Sequence, residues 1–268
     1  MSGFSADWLA LREPHDLRAR NGALVAEVAA LLKALPSVQI VDLACGTGAT
    51  LRALAPHLQA RQHWRLVDND LGLLARAKAM PLPAQVTTAV TPLDLDRDLE
   101  AALDGAVDLV ATSALLDLIS EAWLERLSVE IATRAIPFYA ALSYDGRVEI
   151  GPQDPQDAAV IAAVNAHQTT NKGFGPALGP AAAASAAAHF RRIGYAVTQR
   201  QSDWMIGPQD RDMQDAVFAG WAGAACEIGA SLAETASWLT RRREHIKAGV
   251  SSLRVGHVDL LAVPSTAR

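Results

Sequence analysis

Cysteine is scarce in this chain. Cys45 and Cys226 are the two in 268 residues, too few for a disulfide framework, and no CxxC or Cys/His cluster is spaced for zinc. Positive charge is also in short supply. Lys and Arg number 24 against 29 Asp and Glu, a net charge of −5. A nucleic-acid-binding domain ordinarily carries a basic stripe. The clearest basic run, "RRREHIK" at 241–247, reads as a solvated helix face. No window reaches ~18 consecutive apolar residues, so no membrane span is expected. The N-terminal stretch lacks the charged-then-apolar pattern of a secretory leader, and a cytoplasmic protein is expected.

Half of the residues are apolar and a fifth are charged, the balance of an ordinary globular chain. Residues 5–35 read as helix, with Pro14 dividing the first part into two short helices. A regular alternation follows. Apolar runs at 38–44, 63–69, 85–93, 106–116 and 135–146 are separated by helical patterns at 49–58, 71–80, 96–103 and 121–134. Strand–helix alternation at this spacing means βαβ units, and so a parallel sheet covered on both faces.

The texture changes after 150. A turn-rich connection at 151–157, a helix near 158–169 and a Gly/Pro loop at 169–180 precede a helix at 181–194. A sixth strand at 195–204, helices near 209–228 and 231–248, and a last strand at 256–264 complete the chain. The expectation is a single α/β domain, doubly wound around a mostly parallel seven-stranded sheet. Its parts are a helical cap (1–36), a cofactor-binding core (37–150) and substrate-side helices with the last strands (151–268).

The stretch "VDLACGTGAT" at 41–50 places two glycines in a turn after the first strand, with an acid before them. A triphosphate-binding loop would need Lys-Ser or Lys-Thr after its glycines, and none is present. A dinucleotide loop would need a third glycine where this chain has Leu51, whose bulk would hold the helix off the strand. Asp42 would repel a pyrophosphate but suits a cationic amine, such as that on the methionine end of S-adenosylmethionine (SAM). Gly46 and Gly48 leave room for a ligand against the backbone. Asp68 ends the second strand, where its carboxylate can accept from both ribose hydroxyls, although a nicotinamide fold puts an acid in a similar place. Asp94 ends the third strand and can accept from an adenine amine, with the Leu95 N–H donating to the ring; Asp96 competes with it. Asp68 and Asp94 also read as helix caps.

Taken in order, these residues resemble the class I SAM-dependent methyltransferases. Asp42, Ala44, Gly46 and Gly48 match that family's first motif, with Ala44 standing where many members have glycine. Asp68 with Asn69 is similar to its ribose and adenine position, and Asp94–Leu95 to its adenine-amine position. "TSALLD" at 112–117, with Ser113, is similar to the segment that passes under the sulfonium. The resemblance implies SAM as cofactor and methyl transfer to an oxygen or nitrogen of a small-molecule acceptor. It also implies a basic or aromatic residue of the N-terminal helices over the cofactor, a role given to Arg20 against the cofactor carboxylate.

Trp8, Arg12, Asp117, Tyr144, Asp203 and Trp204 are the candidates for the acceptor side, and His167, before the Gly/Pro loop, is the candidate base. No metal is implied, because no Asp/Asp/Asn set of the catechol-methylating kind can be assembled. The amine-methylating DNA enzymes carry [ND]-P-P-[YF] after the fourth strand, where this chain has "TSAL", so DNA is not expected as a partner. A protein or RNA substrate, a non-catalytic module of the same fold, and a nicotinamide oxidoreductase are the alternatives. The oligomeric state is left open.

Overall fold

The computed structural model describes residues 4–265. Two helices lead in, α1 (Ala6–Ala19) and α2 (Gly22–Leu32). The alternating core comprises β1 (Ser37–Leu43), α3 (Ala49–Leu54), β2 (Arg61–Asp68), α4 (Leu71–Ala79), β3 (Val86–Pro92), α5 (Leu99–Ala102), β4 (Leu109–Ser113), α6 (Glu121–Thr133) and β5 (Phe138–Gly151). Then follow α7 (Asp157–Gln168), α8 (Ala182–Arg192), β6 (Tyr195–Gln201), β7 (Trp204–Ile206), α9 (Arg211–Glu227), α10 (Leu232–Lys247) and β8 (Ser252–Pro264).

The sheet order is β3-β2-β1-β4-β5-β8-β6, with β7 also paired to β8. The first five strands run parallel; β8 is antiparallel to β5, β6 and β7. The expected doubly wound α/β sheet is therefore present, with eight strands rather than seven. The predicted strand 195–204 splits because Ser202 and Asp203 interrupt the pairing between β6 and β7. Strand order reverses between β1 and β4, and in sheets of this kind ligands bind at the C-terminal ends of the strands flanking that point.

Alternation along the strands feeds two cores. Val41, Leu43, Val110 and Phe138 face α6 and α8, whose Leu124, Leu127, Ile131 and Phe190 are buried against them. Ile40, Leu66, Leu109 and Tyr139 face α2, α3 and α4. Each fully buried Leu, Ile or Phe contributes about 1.5–3 kcal/mol. A third cluster joins α7, α9 and α10 to the far ends of β5 and β8 and to β7, around Phe218 and Trp238.

Two sequence expectations fail here. Pro14 lies inside an unbroken α1, because one missing N–H on an exposed face is offset by tertiary contacts of its neighbours. The chain turns instead at Arg20, and Asn21 caps α2 by accepting from Leu24 N–H (3.2 Å). The run 241–247 is not a solvated face throughout: the Arg242 side chain is 0% exposed and pairs with Asp157. Its neighbours Arg241 and Arg243 pair with Asp154 and Asp215. No described helix is long and apolar enough to cross a membrane.

Candidate active site

β1 delivers the chain into a tight turn at 44–48. Ala44, Gly46 and Gly48 all have positive φ (52°, 54° and 87°). The turn closes through Gly48 N–H to the Cys45 carbonyl (2.8 Å) and is anchored by Cys45 N–H to the Val67 carbonyl (2.9 Å). A Cβ at Gly48 would collide with Met80 Cε, and one at Gly46 would stand 3.3 Å from Leu9 Cδ1. Ala44 occupies a conformation that glycine adopts without cost. Ala44→Gly is therefore expected to raise stability by about 0.5–1 kcal/mol in urea denaturation, after the larger backbone entropy of glycine is deducted. Burial, with Asp42 and Asp68 nearby, pushes the Cys45 thiol up, so Cys45 packs rather than attacks.

Asp68 stands at the lip of this turn. One carboxylate oxygen accepts from Gly46 N–H (2.8 Å) and the other from Asp70 N–H (3.0 Å), which fixes the acid beside the glycines. The helix cap is Asp70, which accepts from Gly72 and Leu73 N–H, so Asp68 is free of that duty. Asn69 is exposed on the same rim. Asp94 is exposed and accepts from Asp96 N–H (3.1 Å), while the Leu95 side chain is buried and its carbonyl accepts from Trp123 Nε1 (2.8 Å).

Behind this turn, at the C-terminal ends of β1 and β4, lies a group of buried polar side chains. Asp42 is 0% exposed and both its carboxylate oxygens lack a hydrogen-bond partner. Burial pushes its pKa up to about 7, against the pull of the Thr50 hydroxyl and the Arg20 guanidinium. Arg20 is buried too; one nitrogen donates to Ser113 Oγ (2.7 Å), while Nε and Nη1 have no partner. Ser113 Oγ is also bonded to Thr50 Oγ1 (2.9 Å). A free acid and a partly free base thus stand close together, with two hydroxyls among them. Sequence reasoning missed Asp259, whose two oxygens accept from Asn21 N–H (2.9 Å) and Leu142 N–H (2.8 Å) and so fix the corner that carries Arg20. It also missed Thr50 and the buried, unpartnered Tyr139 hydroxyl.

The acceptor-side candidates converge on a second group. Arg12 is paired with Asp16 (2.9 Å), and its guanidinium lies 5.0 Å from the Trp204 ring and 6.0 Å from that of Trp8. Trp204 Nε1 donates to Asp16 (2.8 Å). His257, absent from the sequence-level candidates, packs 4.8 Å from the Trp204 ring and opposite Tyr144 in the β5–β8 register. The Tyr144 hydroxyl donates to Asn165 (2.7 Å). Asp203 is engaged by Arg147, Arg254 and the His257 N–H, so it positions these groups and offers no free atom. Asp117, in a short turn at Leu116–Leu118, is buried with Oδ1 unpartnered; burial pushes it up to about 6, against Arg12 and Lys172. His167 Nε2 is held by Glu227 (2.9 Å), with Lys172 Nζ at 3.1 Å from its Nδ1, and Lys172 also acts on Asp117, so the predicted base sits in an ion cluster that adjoins the acceptor-side group.

No family model matches the chain, and no curated protein matches it by sequence. Solved structures do match in fold. A cyclopropane-fatty-acyl-phospholipid synthase-like protein from Lactobacillus casei is 17% identical, with a TM-score of 0.56 over 97% of this chain and 94% of its own. A cyclopropane synthase from Mycobacterium tuberculosis is 12% identical, with a TM-score of 0.51 over the same shares. The YcgJ protein from Bacillus subtilis is 13% identical, with a TM-score of 0.52 over 95% of this chain and 100% of its own. The chain shares the fold of these three structures, a doubly wound and mostly parallel α/β sheet.

Proposed function

We infer that this protein binds SAM at the C-terminal ends of β1 and β4 and transfers its methyl group to an oxygen or nitrogen of a small-molecule acceptor. The observation that carries this reading is the buried pair Asp42 and Arg20, each with unpartnered atoms and no ion pair between them. An α-amino acid group supplies the two missing partners together: an ammonium for Asp42 and a carboxylate for Arg20. Ser113 and Thr50 add hydroxyls to the same end. A dinucleotide would set its pyrophosphate, not an ammonium, at the glycine turn beside Asp42, and the two negative groups would repel.

When bound, SAM supplies an electrophilic methyl on a positively charged sulfur that departs as a neutral thioether. The work left to the protein is to orient the two partners and exclude water. Asp68, fixed by two backbone donors, keeps lone pairs for the ribose hydroxyls. Asn69, Asp94 and Leu95 are the residues proposed for the adenine end. The α1 helix covers the site, with Leu9 over Gly46 and Glu13 paired to Arg52, which also donates to the Thr47 carbonyl (2.6 Å). A protein or RNA substrate is less well supported, because the arginines at 241–243 are each engaged by a carboxylate.

Calorimetric titration with SAM and S-adenosylhomocysteine tests the reading, with NADH as the counter-ligand. Micromolar binding of the first two is expected; no heat at millimolar ligand overturns it. Asp68→Ala is expected to weaken S-adenosylhomocysteine by about 10- to 100-fold, the worth of a charge-assisted hydrogen-bond pair. Its circular dichroism spectrum should be unchanged. Undiminished affinity removes Asp68 from the ribose role.

A further inference from the structure

Beyond Ser113, the same edge of the sheet carries free hydrogen-bond acceptors in a buried setting. Asp117 follows Ser113 by four residues on the same β4 exit, so it stands next to the proposed cofactor end. It is 6% exposed and its Oδ1 meets no donor. His257 Nδ1 lies 3.0 Å from the Val255 carbonyl, which can only accept, so Nδ1 carries the proton and Nε2 presents a lone pair. The two residues share their neighbours: Arg12 acts on both, and Tyr144 lies between them, its ring 6.1 Å from that of His257. Trp8 and Trp204 wall the same region, 6.4 Å apart edge to face. The Arg12 charge is balanced by Asp16.

We propose that Asp117 is the acceptor-side base and His257 its positioning partner, and that the acceptor is a small aromatic or heteroaromatic molecule bearing an O–H or N–H. This rests on the methyl-transfer reading above and narrows it to a protic substrate class. A buried acceptor atom without a donor is costly, and a ligand O–H or N–H removes that cost. The aromatic walls favour a flat ring beside that group.

In the reaction, the acceptor's proton passes to Asp117 Oδ1. The electron pair left on oxygen or nitrogen forms the bond to the methyl carbon, and the pair of the broken carbon–sulfur bond leaves with the thioether. A carboxylate whose pKa burial has raised to about 6 is matched to taking a proton near neutrality. Burial and Arg12 drive the His257 pKa down to about 3, so its ring is neutral there and accepts a hydrogen bond. Cyclopropane formation, by contrast, begins at a carbon–carbon double bond, which has no proton to offer these two atoms.

The test uses the full chain loaded with S-adenosylhomocysteine, and matched probe pairs followed by saturation-transfer NMR. The pairs are p-cresol with 4-methylanisole and p-toluidine with its N,N-dimethyl derivative; cis-3-hexene is the alkene probe. The protic member of each pair is expected to bind at least tenfold more tightly than its methylated partner. Asp117→Asn should remove most of that preference and His257→Gln should reduce it at least threefold. Cofactor-product affinity, measured by calorimetry on the same samples, should be unchanged in both variants. Equal binding within the pairs, preference for the alkene, no binding by any probe, or a preference intact in Asp117→Asn overturns the proposal. If S-adenosylhomocysteine itself does not bind, the methyl-transfer reading falls and this proposal falls with it.

Discussion

Asp42→Asn is expected to yield a free protein that is more stable than the wild type at pH 8 and that binds S-adenosylhomocysteine far more weakly. Both effects come from one buried carboxylate without a hydrogen-bond partner. Its pKa is raised from the ordinary carboxylate range to about 7, chiefly by burial and also by Asp68, with Thr50, Arg20 and Arg52 opposing. A raised folded-state value means that the native state holds this proton more tightly than the unfolded chain. The contribution of Asp42 to stability is then least unfavourable below about pH 4 and worsens as pH rises towards 7. Above that range the ionised group costs on the order of 2–4 kcal/mol, which the amide avoids. The midpoint of thermal unfolding should rise by roughly 5–10 °C at pH 8 and change little at pH 4. The same substitution leaves a ligand ammonium without its counter-charge, so affinity should fall at least 100-fold, in the range for truncating one member of a buried charged pair. A variant that melts lower at pH 8, or that binds as before, would show that Asp42 serves the interior and not a cationic guest.

That one residue carries opposite effects on stability and binding is in keeping with its position. Among the described residues, four non-glycine residues have positive φ. Ala44 leaves β1, Ala114 leaves β4, and Leu142 lies in the β5 bulge, where Asp259 holds its N–H. Ala135, the fourth, joins α6 to β5 at the opposite edge, so three of the four share the C-terminal strand edge with the unpartnered Asp42 and Arg20.

The parallel half of the fold was legible because its elements are local. The apolar runs and the turns between them repeat at βαβ spacing, and the glycine turn with Asp42 and Asp68 is encoded within 27 residues, 42–68. The site beyond it was only partly legible, because its contacts join distant segments. Arg20 meets Ser113 93 positions away, and Asn21 meets Asp259 across 238. Spacing carries no information at such separations. A signal was nevertheless present in the last strand: His257 and Asp259 interrupt an otherwise apolar run, and a polar residue kept in a buried strand needs a partner or a task. Pro14 and the basic run misled for a shared reason. Local rules describe an isolated helix, whereas α1 and α10 are held by tertiary partners, Trp204 with Asp16 for one and Asp157 for the other.

Asp157→Ala should be the most destabilising single change outside the sheet, at about 3–5 kcal/mol in urea denaturation. The carboxylate accepts from Trp238 Nε1 (2.8 Å), from Arg242 (3.1 Å) and from Asp154 N–H (2.8 Å), and so ties α7 to α10. Arg242 is 0% exposed, donates to the Pro152 carbonyl (2.7 Å) and lies 6.0 Å from the Phe218 ring. Removing Asp157 strands this cation in an apolar setting. Arg242→Met should cost less, because the thioether fills the volume and the Asp157 carboxylate keeps its Trp238 Nε1 and Asp154 N–H donors. The double variant should then be more stable than Asp157→Ala alone, with a coupling energy above about 2 kcal/mol. Additive effects would mean that the pair is screened by solvent. The cycle also decides what the basic run is for. An arginine that contacted nucleic acid would lower RNA affinity when replaced and leave stability unchanged. An arginine that braces α7, the helix whose Asn165 holds the Tyr144 hydroxyl, should do the reverse.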